Sequence, residues 1–395
     1  MEVSKNQLTI LRCFGLDIHP ETFSAALIQK NDRLVVEHDI MKVWNKIDMD
    51  KLEAWVKKNS EPHDICVVES GSNSFSVVDR IKECGRHAVV LESQRVSKIC
   101  KAYFKADDED AIKIGKVYLS GLANEVWVPD EKTKELRDIF ASYKRATKDT
   151  TRTRNRLWGF LLSHGIRQEK KVSWLDDSRR AWILEQRDWS IMEQALLTVM
   201  IDDIQYAYKQ RKQLTQIIAQ EVSQNKNMLS LLRVVGIGQK TAFALVAAIG
   251  DISRFENPKK LVAYIGVHPT VRGSGKKTYR GHMSKWGHKD LKQLLAEGAQ
   301  SVLRYGDSPM ATWGKKLLFR KDHNVVIIAL ARKMVTSAWY ILRGFGVNME
   351  EVDSTLKNKY TKLAVTIGKE TRTVWGYLTV NDFIDEKSKI YCKTS

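Results

Sequence analysis

Apolar and polar positions change their spacing along this chain, and each change marks a different kind of structure. Between Leu11 and Glu92 short apolar runs follow one another: Cys13–Ile18 (CFGLDI), Thr22–Ile28 and Leu34–Ile40 read as three strands divided by turn residues, and Leu52–Lys58 as a helix. Ile65–Val68 then reads as a short buried strand, Phe75–Cys84 as a helix stopped at Gly85, and His87–Leu91 as another strand. From Thr133 to His164 the period lengthens to that of a helix, with Leu136, Ile139, Phe140 and Tyr143 at i, i+3, i+4 and i+7, and Leu157, Phe160 and Leu161 resuming the stripe. A second long helix is expected from Ile191 to Val222 through Ile201, Ile204, Tyr208, Leu214 and Ile218, while the tryptophan-rich segment 172–189 fits no element.

Three hairpin-like strands followed by alternating helix and strand is the order of a ribonuclease-H-like α/β domain, although several small α/β folds share it. Two long amphipathic helices joined by an irregular segment suggest an antiparallel coiled-coil arm, a device that commonly sets dimer geometry. Between Leu229 and Tyr264 short helices surround tight glycine turns, and VVGIGQKTAFALVAAIG has the pattern of a helix-hairpin-helix: Gly236 and Gly238 precede a helix N-terminus, with Lys240 just inside it. Val325–Ile341 reads as an apolar core helix, and Asn348–Ser395 is polar and mixed. The expected domains are therefore residues 1–130 (α/β), 131–227 (helical arm), 228–345 (mostly α) and 346–395 (an extension of no evident role).

Charge narrows the partners. With 65 Lys and Arg against 47 Asp and Glu the formal net charge is +18, and the 43% hydrophobic content is ordinary for a globular protein. Such a field implies a large polyanion, with nucleic acid the leading candidate. The N-terminus offers no apolar signal region or myristoylation pattern and no stretch reads as long enough to span a membrane, so a membrane partner is not expected. Cys13, Cys66, Cys84, Cys100 and Cys392 lie at wide, irregular spacings, which points to reduced thiols in a cytoplasm rather than a zinc site or disulfide framework.

Two constellations carry candidate chemistry. Asp17 follows the apolar residues of the first strand, Glu69 ends the fourth, and Asp107 and Asp110 in KADDEDA are three apart on what reads as one helix face. Four carboxylates converging this way make a hard-cation site suited to Mg²⁺ and to phosphoryl transfer. Taken singly, each reads equally well as a turn residue, a solvated charge or an acidic helix start. The second constellation is GVHPTVRGSGKKTYRGHMSKWGHKDLKQLL, residues 266–295. Ser274 stands there between Gly273 and Gly275, with Arg272, Lys276, Lys277, Arg280 and Lys285 nearby, and Lys289 and Lys292 extend the basic face along a helix from Asp290 to Leu303. The glycines permit close approach of a phosphate and the cations neutralise it, so the serine hydroxyl is a candidate nucleophile. The plainer reading is a basic hairpin whose serine is a turn residue.

These motifs in combination resemble the insertion-sequence-110 type transposases, which are related to pilin-gene DNA invertases: GLDIH around Asp17, VVESGS around Glu69, KADDEDA, the VVGIG hairpin, and LVAYIGVHP…GSGKK…MSKWGHKDLKQLL around Ser274. The resemblance covers roughly residues 11–125 and 228–305. It implies a RuvC-like domain whose Asp-Glu-Asp-Asp set, here Asp17, Glu69, Asp107 and Asp110, binds Mg²⁺, and a transposase domain whose serine, here Ser274, forms a covalent phosphoserine link to DNA. It further implies that the two halves meet across protomers of a dimer or tetramer, and that a structured bridge RNA can choose donor and target DNA. The chain departs from the family pattern at Ala106, Asp108, Glu109 and Gly273. Two other functions fit the same residues: a metal-dependent junction resolvase or nuclease that uses water, with Ser274 structural, and a nucleic-acid-binding protein without catalysis.

Overall fold

A computed structural model describes residues 12–30, 38–103, 109–167, 177–274, 277–346 and 353–392, which divide into two compact units, Met1–Pro129 and Asp130–Ser395. The first unit runs β1 (Arg12–Ile18), β2 (Thr22–Gln29), β3 (Asp39–Asp48), α1 (Leu52–Asn59), β4 (Ile65–Glu69), α2 (Ser74–Glu83), β5 (His87–Leu91), α3 (Ser93–Tyr103), α4 (Asp110–Leu119) and β6 (Glu125–Val126). Its mixed sheet has the order β3-β2-β1-β4-β5-β6; β1 lies antiparallel to β2 and parallel to β4, and β4 is parallel to β5.

Strand side chains alternate between faces, so a central strand buried on both sides is apolar throughout. β1 shows this directly: Phe14 and Leu16 enter a core with Leu52, Trp55, Val56, Val78 and Ile81 of α1 and α2, whereas Cys13 enters the opposite core with Ile99, Ile114 and Val117 of α3 and α4. Trp55 anchors the first core through edge-on contacts with Phe14, Phe23 and Trp44. The third strand corrects the sequence reading. It runs from Asp39 to Asp48 rather than over 34–40, with residues 31–37 outside the described set. Its side chains are exposed or only half-buried, and an edge strand of this kind gives little hydrophobic signal.

The second unit continues with α5 (Glu131–Ser163), α6 (Asp177–Glu185), α7 (Ile191–Gln224), α8 (Lys226–Leu231), α9 (Gln239–Ile249), α10 (Pro258–Ile265), β7 (Pro269–Ser274), β8 (Lys277–Met283), α11 (Lys289–Tyr305), α12 (Pro309–Leu318), α13 (His323–Leu342), α14 (Asp353–Ile367), α15 (Lys369–Val374) and α16 (Val380–Cys392). Asp130 caps α5 by accepting from the Thr133 N–H, and Ser190 with Glu193 forms a capping box at α7. α5 and α7 pack antiparallel: Leu157 and Leu161 near the end of α5 meet Leu197, Ile201 and Ile204 near the start of α7. At the other end Leu136 and Tyr143 join Ile218 and Val222 in the main core, so only the far part of the helix pair stands on its own cluster. Trp189 and Ile183, from the stretch that fitted no element, complete that cluster together with α6.

α9 is buried from Thr241 to Ile249 and forms the hub of the main core. Tyr360, Leu363, Ala364 and Ile367 of α14 and Phe383 of α16 are part of that core, although residues 348–395 read as polar. α13 also differs from expectation: it is long and apolar enough, by length and composition, to cross a membrane. In this fold Val326, Leu330, Ala331, Met334, Val335 and Ala338 are instead packed in the core.

Candidate functional site

The acidic residues gather where β1 and β4 leave the sheet. Leu16 stands opposite Val68 in the parallel register, so Asp17 and Glu69, the next residue of each strand, emerge side by side. Asp110 is the first residue of α4, and α4 lies directly on β1 because two glycines face each other: a Cβ on Gly15 would fall 2.0 Å from the Ala111 carbonyl oxygen and 2.6 Å from Gly115 N. This close approach brings the start of α4 to the strand ends. Burial raises the Glu69 pKa, and the charges of Asp110 and Asp17 raise it further, so the three carboxylates share one field.

Neighbouring groups complete the edge. His19 Nε2 lies 3.4 Å from Asp17 Oδ2, Lys113 Nζ lies 3.2 Å from Asp110 Oδ1, and Asn45 Nδ2 donates to Glu109 Oε1 at 3.0 Å. Cys100 belongs to the same surroundings: burial raises its thiol pKa, Lys113 lowers it, and Glu69 and Asp110 raise it. Sequence reasoning passed over Lys113, although its i+3 spacing from Asp110 was visible. Asp107 lies outside the described residues, so the expected shared helix face of Asp107 and Asp110 is not described; the helix itself begins at Asp110. Among the described residues no three His, Cys, Asp or Glu side chains close around a point that could hold a metal ion. The donor chemistry nevertheless fits a hard divalent cation: three carboxylates, one with its ionised form disfavoured by its two neighbours, are what such a cation relieves.

Ser274 ends β7, paired with Lys277 at the start of β8; residues 275 and 276, and so Gly275 and Lys276, lie outside the described residues, as do the side chains of residues 271–280. By register Arg272 pairs with Tyr279, Val271 with Arg280 and Gly273 with Thr278, placing Ser274 where the two strands of a cation-rich ribbon connect, at the end away from the Pro269–Met283 pair. The base of the ribbon is held rigidly. Gly266 and Gly287, both with positive φ, cross so tightly that a Cβ on Gly266 would meet the Trp286 carbonyl oxygen at 2.2 Å. Lys292 is buried and its Nζ donates to the carbonyls of Ser284 and Trp286 at 3.0 Å each. It therefore does not extend the basic face as the sequence suggested; it pins the turn that displays exposed Lys285 and Trp286.

The glycine-turn region has α8 and α9 joined by Leu232–Gly238. Gly236 takes φ 80°, and α11 packs against it through Gly298, where a Cβ would meet the Gly236 carbonyl oxygen at 2.4 Å. Gly238 caps α9 without a side-chain hydrogen bond and with nothing within 4 Å of its Cβ position. Lys240 lies over the Tyr143 ring at 5.1 Å. Of the cations on the α5 face, Lys144 pairs with Asp290 at 2.9 Å, Arg152 with Asp149 at 2.9 Å and Arg156 with Asp203 at 3.2 Å, so part of that face is neutralised within the protein.

Two family descriptions match the chain. One described as transposase, DEDD_Tnp_IS110, matches residues 14–166, and the Transposase IS116/IS110/IS902 family matches residues 229–313. The putative transposase y4qE of Sinorhizobium fredii is 24% identical over 308 residues, covering 77% of this chain and 75% of the relative. The transposase for insertion sequence element IS1328 of Yersinia enterocolitica is 24% identical over 71% of this chain and 84% of its own length. The pilin gene-inverting protein of Moraxella bovis is 30% identical over 134 residues, 33% of this chain and 41% of that protein. The first match includes Asp17, Glu69, Asp107 and Asp110, and the second includes Gly236, Gly238, Lys240 and Ser274.

Proposed function

The chain carries, in order, both transposase domains of the IS110/IS116/IS902 family, and from that membership we propose that it cuts and rejoins DNA through a phosphoserine intermediate at Ser274, assisted by the carboxylates of its N-terminal unit. The observation that carries this reading is the acidic edge, where Asp17 and Glu69 leave adjacent parallel strands and Asp110 acts on Glu69. The strand order, with β1 central and β2, β3 and β4, β5 on either side, supports a ribonuclease-H-like, RuvC-type reading of the unit. We assign Asp17, Glu69, Asp107 and Asp110 as ligands for a divalent cation, most simply Mg²⁺, which when bound supplies Lewis acidity at a phosphate and a lowered pKa to a coordinated hydroxyl.

The protein's own residues do the rest. The Ser274 hydroxyl oxygen attacks a DNA phosphorus; an Oγ–P ester forms, one P–O bond to deoxyribose breaks, the hydroxyl proton passes to a base, and the departing sugar oxygen gains a proton. A sugar hydroxyl of another strand then attacks the phosphoserine and restores the serine, so phosphodiester bond energy is conserved and no high-energy cofactor is consumed. Arg272, Lys277 and Arg280 on the ribbon, together with Lys276, bind the scissile region, and Lys285 follows from the pinned turn. Gly236, Gly238 and Lys240, read as a helix-hairpin-helix, hold a DNA phosphate without reading sequence. Activation of Ser274 by the acidic set of a second protomer makes the working species a homo-oligomer, with a structured RNA as the candidate guide and the bacterial or archaeal cytoplasm, at the nucleoid, as the site of action.

The test incubates the protein with element-end DNA, the neighbouring transcript and Mg²⁺, then denatures it and looks for protein joined to labelled DNA. The reading predicts an adduct in wild type that is lost in both Ser274→Ala and Asp17→Ala and is restored when those two variants are mixed. Cleavage without an adduct, surviving Ser274→Ala but not Asp17→Ala, would replace it with hydrolysis by water.

A further inference from the structure

Beside α7 the C-terminal unit holds a cavity of about 710 Å³ whose walls come from α7, the start of α9 and the end of α14. Its charged side chains are all of one sign: Lys209, Arg211 and Lys212 from α7 and Lys240 from α9, with no Asp or Glu among the lining residues. α7 carries no acid between Asp203 and Glu221. Among the described residues none of these four cations has an ion-pair partner; Arg211 rests on the Tyr208 ring at 4.6 Å and Lys240 on the Tyr143 ring at 5.1 Å. Gathering four cations around one cavity costs stability through mutual repulsion unless an anion is bound.

The helix face shows the same thing by periodicity. Gln205, Lys209, Lys212 and Gln216 recur at i, i+4, i+7 and i+11 and all line the cavity, so Tyr208, whose ring lies under Arg211, is the one apolar side chain that α7 contributes to the lining. A packing face would be apolar. We propose that this cavity is a third nucleic-acid contact, beside the Ser274 ribbon and the glycine turn, with which it shares Lys240, and that its ligand is a phosphodiester backbone. The inference rests on the transposase reading for the presence of nucleic acid but not on the serine chemistry. Backbone rather than base contact follows from the lining: besides the cations it offers the side-chain amides of Gln205 and Gln216, which suit phosphate and sugar oxygens. Tyr208, an aromatic ring that could stack on a base, is already occupied by Arg211. The contact also gives the C-terminal helices a part in binding, because Thr366 of α14 forms one wall.

The test uses the full chain with Lys209→Gln and Lys212→Gln combined; both side chains are exposed, and circular dichroism with thermal melting confirms that the fold is kept. Fluorescence anisotropy across a salt series measures binding to a DNA duplex of random sequence and, separately, to an RNA hairpin. The inference predicts about tenfold or weaker binding to at least one probe and a log–log salt slope shallower by about 2, roughly one for each phosphate-contacting lysine, independent of probe sequence. Loss confined to one probe identifies which nucleic acid occupies the cavity. Wild-type binding that is undiminished in the double variant on both probes overturns this contact alone. Failure of the wild-type chain to bind either probe overturns the nucleic-acid reading of the protein and this contact with it.

Discussion

Replacing Lys292 with methionine removes one ammonium and keeps the apolar stem, so it isolates the buried contact that steadies the turn after the serine ribbon. In the native protein that ammonium satisfies two backbone carbonyls, those of Ser284 and Trp286, at 3.0 Å each. Hydrogen bonds from a charged donor are worth about 1.5–3 kcal/mol each, and a carbonyl left buried without a partner costs about 1–3 kcal/mol. Allowing for partial rehydration of a turn whose Trp286 ring is exposed, the expected loss is about 2–4 kcal/mol of unfolding free energy. For a unit of this size that is a fall in melting temperature of roughly 5–15 °C. Urea unfolding followed by fluorescence and by circular dichroism gives the free energy directly. Because the same turn leads out of the ribbon bearing Ser274, DNA adduct formation falls along with stability, and a charge-preserving Lys292→Arg change loses less of both. A change in unfolding free energy below about 0.5 kcal/mol, the scale of an ordinary surface substitution, would refute the role given to this lysine.

Three further outcomes follow from the same geometry. Gly15→Ala places a Cβ 2.0 Å from the Ala111 carbonyl oxygen and so forces α4 away from β1; the N-terminal unit loses about 1–3 kcal/mol or more, and strand transfer falls further than stability alone would explain because Asp110 is displaced, as thermal melting and the adduct assay together would show. His288 has its pKa lowered from 6.5, first by burial and then by Arg137, Arg254 and Lys292, so the unfolded chain takes up the proton first. Its contribution to stability is complete above pH 6.5 and declines as pH falls through the lowered folded-state value, and His288→Gln flattens that part of the stability–pH curve measured by urea unfolding. Glu69→Gln removes a carboxylate whose ionised form is disfavoured by burial and by Asp110 and Asp17, so its melting temperature at neutral pH equals or exceeds that of wild type while adduct formation drops by about 100-fold or more; a large loss of stability would instead mark Glu69 as structural.

How much of this was legible in the sequence depends on how each residue is used. β1, β2, β4 and β5 were readable because central strands are apolar runs, and both long helices because their stripes hold the helical period over many turns. β3 was not, since an exposed edge strand carries Lys42, Asn45 and Lys46 where a central strand would carry valines. The C-terminal helices offered a signal that was passed over: Tyr360, Leu363, Ala364 and Ile367 stand at i, i+3, i+4 and i+7 within a polar stretch. Lys292 was misjudged for a different reason. A lysine between Leu291 and Leu295 looks like a surface charge, and only the fold reveals two carbonyls waiting for a donor. Likewise the tight contact of Gly15 with Gly115 joins residues a hundred positions apart, and no local pattern announces that they carry Asp110 to the strand ends.

The most direct check on the central claim is to find the atom that becomes attached to DNA. Protein trapped with labelled DNA and a divalent cation would be denatured, trimmed with nuclease and protease, and analysed by peptide mass spectrometry. The account predicts a nucleotide phosphate on the peptide containing Ser274, and on Ser274 itself when the peptide is fragmented. A nucleotide on any other residue, or cut DNA with no modified peptide at all, would contradict it.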